Sequence, residues 1–132
     1  MKHVEVVAAI IKLKEKILCV QRGDNKYEYI SKKWEFPGGK LEPMETKEQA
    51  IIREIKEELH LDIEIESEFL TVYHEYPDFK ITMHSFVCKT ENDNLTLTEH
   101  IDFKWLNYSD IKDLDWAAAD IPIVEKLLKF EL

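Results

Sequence analysis

Gly38-Gly39-Lys40-Leu41-Glu42-Pro43-Met44-Glu45 runs directly into Thr46-Lys47-Glu48-Gln49 and then into Ala50-Ile51-Ile52-Arg53-Glu54-Ile55-Lys56-Glu57-Glu58-Leu59-His60-Leu61. Thr46 to Gln49 fits a capping box, in which Thr46 caps the first turn and Gln49 reaches back, so a helix is predicted from Thr46 to about His60. At about 100° per residue, Ile51, Ile52, Ile55 and Leu59 share one arc, the face expected to pack on a sheet. Glu54, Glu57 and Glu58 fill a neighbouring arc. Carboxylates at such spacing repel one another, and Glu57 and Glu58 also fall in the last turns, where the helix dipole is negative. A solvated acidic face would normally place Glu four residues before Lys. Here Glu54 meets Glu58 at that spacing, and the favourable pair, Arg53 with Glu57, runs in the weaker order.

The pattern is poor for helix stability and good for a hard cation. Magnesium takes oxygen ligands in octahedral geometry and keeps waters that a substrate phosphate can displace. A glycine pair alone reads as a turn. At a fixed distance from the carboxylates it gains a second reading, because the bare Gly38 carbonyl can approach a metal that the helix holds.

These residues resemble the box of the Nudix family: Gly, five residues, Glu, seven residues, then Arg-Glu-apolar-x-Glu-Glu-x-Gly-apolar, with the match running from Gly39 through Glu45 to Leu61. Every specified position agrees except His60, which stands where the family has glycine. That glycine would close the helix in a left-handed conformation, which His adopts at a cost of about 1 kcal/mol. Met44 likewise replaces a glycine frequent in relatives. The resemblance implies that Glu57 and Glu58 bind metal, magnesium with manganese able to substitute, assisted by the Gly38 carbonyl. It implies that Glu54 either binds metal or deprotonates the attacking water, two roles the residues themselves leave open. It implies that Arg53, placed among the catalytic residues with the three glutamates, pairs with Glu45 and ties the loop to the helix.

The similarity extends along the chain to the MutT-like branch. Trp34-Glu35-Phe36-Pro37-Gly38-Gly39-Lys40 is similar to its strand before the box, and Ala119-Asp120-Ile121-Pro122 to the start of its last helix. By resemblance Arg22 and Lys40 are substrate-binding residues, Arg22 toward phosphate, and Glu99 completes the metal site. Arg22 also reads as an ordinary surface arginine, and Glu99 as a solvated loop residue. Asp120 falls where the branch reads a purine with Asn, and Asp is equally a helix N-cap. The flanks of the box resemble the CTP and modified-dCTP pyrophosphohydrolases. The function implied is hydrolysis of a nucleoside triphosphate, CTP, dCTP or a modified or oxidised nucleotide, to monophosphate and pyrophosphate, as in nucleotide-pool sanitation and DNA repair. Alternatives are an 8-oxo-dGTP diphosphatase, an ADP-ribose or dinucleoside polyphosphate hydrolase, and a non-catalytic binding module, though such modules lose box carboxylates that this chain keeps.

Outward from the box, Val4 to Ile11 and Ile17 to Val20 read as a hairpin, and Gly23 to Lys33 as a surface loop. Trp34 to Phe36 is a short strand broken by Pro37-Gly38-Gly39. Asp62 to Tyr76 and Phe79 to Lys89 are antiparallel strands joined at Pro77-Asp78, and Ile101 to Leu106 is another. Ser109 is expected to cap a short turn. Asp120 to Phe130 reads as a terminal helix with an apolar face of Ile121, Val124, Leu127 and Leu128. The expectation is one α+β domain over residues 1–132, a mixed sheet sandwiched between helices. The 132 residues are 45% apolar and carry a formal charge of −9, which argues against nucleic-acid polymers or anionic membranes as partners. The N-terminus lacks a signal-peptide pattern, so a cytoplasmic monomer or homodimer acting on a small nucleotide is expected. Cys19 and Cys88 lie in apolar runs and read as buried thiols.

Overall fold

Along strand β1 (Lys2–Leu13), Val7, Ala9 and Ile11 alternate with Ala8 and Ile10, and all five are buried. A strand buried on both faces must lie in the middle of a sheet covered on both sides. The computed structural model describes residues 1–130, and it shows this arrangement. Residues 131 and 132, the end of the expected domain span, lie outside the described residues. The strand order is β3-β2-β1-β6-β5, from β2 (Lys16–Gln21), β3 (Trp34–Glu35), β5 (Glu64–Glu75) and β6 (Phe79–Lys89), with β4 (Gly38–Lys40) on β1 and β7 (Asp102–Leu106) on β2. The sheet is mixed, since β1 runs parallel to β6 from Lys2↔Phe79 to Lys12↔Lys89 while the other pairs are antiparallel.

Val7, Ala9 and Ile11 pack against helix α1 (Lys47–Leu59) through Ile51, Ile55 and Leu59. Ala8 and Ile10 face helix α2 (Ile121–Lys129) through Ile123, Val124 and Leu127. The expected α+β sandwich is therefore present. Cys19 and Cys88 are free and buried, and burial pushes both thiols up to about 12. Among the described residues no helix is long and apolar enough to cross a membrane.

Several local expectations need correction. Ile52 is 48% exposed and Ala50 is buried in its place. The buried arc of α1 extends on the glutamate side, because Glu54 and Glu58 project within about 60° of Ile51 on the wheel while Ile52 lies at its other edge. On α2 the buried residues are Ile123, Val124 and Leu127, whereas Ile121 and Leu128 are exposed. Ile123 and Leu127, four apart, define the face, and Ile121 turns away from it. Ser109 caps nothing: the short 3-10 turn Ile111–Asp113 has no side-chain cap, and Asp110 already turns the chain by donating its N–H to the Asn107 carbonyl.

Gly38-Gly39 is not a break in regular structure but part of β4, paired as Val7↔Gly39 and Ala8↔Gly38. A Cβ at Gly38 would collide with the Val7 carbonyl oxygen, so only glycine lets this strand lie against β1. The edge of β1 is thus shared: β2 pairs with it at Lys12 and Leu13, then diverges, and β4 occupies the edge at Val6 to Ala8. Val6 to Ala8 and Gly38 to Lys40, at this shared edge, line the cleft described below.

Candidate active site

The capping box forms as the sequence requires, with Thr46 Oγ1 accepting from the Gln49 N–H and Gln49 Oε1 from the Thr46 N–H. At the other end His60 is left-handed, φ 54°, and its N–H closes on the Lys56 carbonyl. The remaining terminal carbonyls are met by the 90–101 segment: Thr98 donates to Glu58 and Thr96 to Leu59. The helix end is therefore satisfied without a glycine, and the same contacts carry Glu99 to the carboxylates.

The three glutamates separate. Glu54 lies with its side chain 14% exposed and its carboxylate over Gly39, where a Cβ would strike both of its oxygens. Glu58 is buried, and its Oε2 has no hydrogen-bond partner. Burial first, then the charges of Glu54, Glu99 and Glu35, push its carboxyl up to about 9, and a hydrogen bond with Glu99 adds to the shift. Glu57 projects outward, 62% exposed, and meets Arg53 at 3.3 Å. Arg53 is the clamp of the box. Its Nε donates to Glu45 Oε2 at 2.6 Å, its Nη2 to Glu45 Oε1 at 2.9 Å and to the Lys40 carbonyl, and its Nη1 to Glu54 Oε1 at 2.8 Å. The hydrogen bonds from Arg53 hold the Glu45 carboxyl below its usual range, and those partners raise the guanidinium further.

Hard oxygen donors are what magnesium or manganese takes. A buried carboxylate oxygen without a donor, beside two further carboxylates, fits such a cation, since an orphaned buried polar group is costly until something meets it. Among the described residues no three acidic, imidazole or thiol groups are already gathered as a metal-binding cluster. The ligands are present in kind but are not preassembled.

Beside the carboxylates opens a cleft of about 380 Å³, lined by Gly38, Gly39, Lys40, Arg22, Glu35 and Asp120 among others. The Gly23 to Lys33 segment, expected as a plain surface loop, folds over it. Ile30 is buried, Tyr27 and Tyr29 stack at 5.3 Å, Tyr29 stacks on Tyr76 at 5.1 Å, and the Tyr29 hydroxyl donates to Asp78 at 2.6 Å. Tyr27, Tyr76 and Phe79 present an aromatic wall to the cleft, a surface on which a planar base can stack.

Asp120 is 4% exposed at the floor of the cleft. It stands at the N-terminus of α2 but its side chain makes no capping bond there; Oδ1 accepts the Phe36 N–H at 3.0 Å instead. The helix-cap reading is corrected: the carboxyl ties α2 to the strand before the box. Its backbone is already helical, φ −85° and ψ −18°, which leaves the side chain out of reach of the first-turn N–H groups. Burial, then the charge of Glu35, raises its pKa well above the ordinary value.

Two residues of the site are absent from the sequence-based set. Trp34 and Phe36 pack on the α2 face, so Glu35 between them projects from the other face, toward the carboxylates. Period-two alternation held that signal. His100, expected in a solvated loop, has a side chain only 5% exposed and hydrogen-bonds Glu35 Oε2 through Nε2 at 2.9 Å. Arg22 meets the other oxygen of Glu35 at 3.5 Å.

Comparison with known proteins agrees with this geometry. The family model of the NUDIX domain matches residues 1–127. The CTP pyrophosphohydrolase of Escherichia coli (strain K12) is 34% identical over 97% of this chain and 93% of its own length. The 8-oxo-dGTP diphosphatase of the same organism is 29% identical over 96% of this chain and 98% of its own. The solution structure of a MutT protein of the Nudix hydrolase family from methicillin-resistant Staphylococcus aureus 252, 39% identical, superposes with a TM-score of 0.75 over 98% of each chain. With the box residues, the sandwich and the whole-chain matches in agreement, this chain belongs to the Nudix family.

Proposed function

We propose that this chain, acting as one domain, hydrolyses a nucleoside triphosphate between its α- and β-phosphates, releasing monophosphate and pyrophosphate, with magnesium or manganese as cofactor. The observation that carries the reading is the unpartnered, buried Glu58 oxygen beside Glu54 and Glu99, with Glu54 lying over Gly39 at the edge of a cleft that has cationic and aromatic walls. Gly38 through its carbonyl, with Glu54, Glu57, Glu58 and Glu99, would hold the cation. When bound, it would neutralise charge developing on the phosphoryl oxygens. Glu54 is either ligand or the base that takes a proton from the attacking water. Arg53 keeps Glu54 and Glu45 in place, and Arg22 and Lys40 bind the phosphate chain.

The base lies against the aromatic wall and is read by Asp120. One Asp120 oxygen is committed to the Phe36 N–H, and burial favours the protonated carboxyl, so the remaining oxygen can donate. Cytosine offers an acceptor and an amino group on that edge, whereas guanine offers paired N–H donors. A cytosine nucleotide is therefore the preferred substrate, in line with the CTP pyrophosphohydrolase relative. An oxidised guanine nucleotide is the second reading, which the 8-oxo-dGTP diphosphatase relative favours.

The test is a panel of CTP, dCTP, 5-methyl-dCTP, dGTP, 8-oxo-dGTP, ADP-ribose and a dinucleoside tetraphosphate, scored for pyrophosphate against phosphate with and without chelator. Release of single phosphate from a triphosphate, or turnover in excess chelator, would overturn the reaction. Preference for guanine nucleotides would overturn the assignment of the base.

A further inference from the structure

His100 is a buried imidazole with one nitrogen matched and one not. Nε2 bonds Glu35 Oε2 at 2.9 Å, whereas Nδ1 is buried with no partner. A carboxylate accepts, so Nε2 is the donor of that bond, and Nδ1 is left unpaired. A buried nitrogen without a partner is a cost to the fold. The nitrogen that acts on a neighbour is Nε2.

The sheet explains what that nitrogen reaches. Glu35 on β3 sits opposite Val20 of β2, and on the other side of β2 Gln21 sits opposite Asp102 of β7. The Ile101 N–H donates to the Gln21 carbonyl and the Arg22 N–H to the Lys33 carbonyl. Arg22 thus leaves the end of β2 between Glu35 on one flank and His100 on the other. Glu35 spans them, Oε2 to His100 and Oε1 to Arg22 Nε at 3.5 Å. Among the described residues the two terminal nitrogens of the guanidinium make no hydrogen bond. Arg22 is 45% exposed on its side chain and lines the cleft, and a planar fork of donors suits two phosphate oxygens. Glu35 itself lies close enough to Glu58 and Asp120 for its charge to raise the pKa of both. His100 holds it by a hydrogen bond and Arg22 by an ion pair.

We propose that His100 is a positioning residue for phosphate binding: through Glu35 it fixes Arg22 with its terminal guanidinium nitrogens toward the substrate's phosphate chain. The proposal rests on the nucleotide reading of the cleft given above. It makes the segment after Glu99 serve two ends of one substrate, Glu99 at the carboxylates and His100 at the cationic wall.

The experiment measures Kd for the non-hydrolysable α,β-methylene analogue of CTP, together with kcat and KM for CTP and 8-oxo-dGTP. The variants are His100→Leu, His100→Gln, His100→Asn and Arg22→Ala. His100→Leu should weaken analogue binding and raise KM about tenfold, the effect of one lost hydrogen bond to a charged group, with kcat within about threefold. Base preference, the ratio of kcat/KM for the two nucleotides, should stay unchanged. Gln places an N–H near the lost Nε2 and should recover most of the loss, whereas the shorter Asn should not. Where His100→Leu folds poorly, that Gln and Asn pair carries the test. In the Arg22→Ala background His100→Leu should add nothing. A shift in base preference would mean that Glu35 reads the base, and an undiminished effect without Arg22 would mean that His100 acts elsewhere; either overturns the proposal. Unchanged analogue binding in His100→Leu overturns the positioning role alone. A wild type that neither binds the analogue nor turns over a triphosphate overturns the function reading and this proposal with it.

Discussion

Replacing Glu58 with Gln should move catalysis and metal-free stability in opposite directions. The Glu58 carboxyl has an ordinary pKa of 4.5 and in the fold is pushed up to about 9, chiefly by burial. With the folded value above the unfolded one, its contribution is fully present below pH 4.5 and is lost as pH rises toward 9. At pH 7 the folded protein must keep a proton that the unfolded chain has released. Each pH unit above the ordinary value costs about 1.4 kcal/mol, so the handicap at neutral pH is about 3 kcal/mol, an upper limit where Glu54 and Glu99 can readjust. Gln carries no such handicap, and its amide can still donate to Glu99. For a chain of this size 1 kcal/mol corresponds to roughly 4 °C in Tm, so the variant should melt up to roughly 12 °C above wild type at pH 7 in chelator. At pH 5 the two should nearly coincide. Turnover with magnesium should fall on the order of a thousandfold, as expected when a cation loses an anionic ligand. The assay is thermal melting in chelator from pH 5 to 9 beside pyrophosphate release. Uniform destabilisation of Glu58→Gln at every pH, or activity within tenfold of wild type, would refute the reasoning. Glu57→Gln should change metal-free stability by less than about 0.5 kcal/mol, since its exposed pair with Arg53 is worth little.

Gly38→Ala and Gly39→Ala should differ in kind. The first drives a methyl into the Val7 backbone and should destabilise by about 3 kcal/mol or more by denaturant melts, whereas the second first meets the Glu54 carboxylate, a side-chain end that can shift, and should fold while losing activity. Equal destabilisation by both would contradict this division. Met44, fully exposed at φ 69°, and His60, at φ 54°, occupy left-handed positions. Met44→Gly and His60→Gly should each raise stability by about 0.5 to 1 kcal/mol in chemical denaturation without changing kcat/KM, and a loss of stability in either would show that the strain is met elsewhere. Asp120→Asn should alter the order of kcat/KM among CTP, dCTP, 5-methyl-dCTP, dGTP and 8-oxo-dGTP more than the mean rate. Equal loss on all five, or a lower Tm with preferences intact, would reduce Asp120 to its structural bond with Phe36.

The local and periodic features were legible in the amino-acid order. Thr46 and Gln49 cap the helix because capping depends on neighbours three residues apart, and the Gly38-to-Glu58 spacing is set by the chain itself. The same holds for the alternation of Val7 to Ile11, which places β1 at the centre. What depends on residues distant in sequence was decided by tertiary packing. The wheel puts Glu54, Glu57 and Glu58 on neighbouring directions, but tertiary packing buries Glu58, half-buries Glu54 and leaves Glu57 outside. Asp120 could cap α2 by local rules, yet Phe36, 84 residues earlier, offers the N–H that takes its oxygen. Glu35 and His100 are 65 residues apart and meet only because β3 and β7 flank β2. A hydrogen bond between side chains needs both positions in space, and that placement is a property of the assembled sheet rather than of either segment.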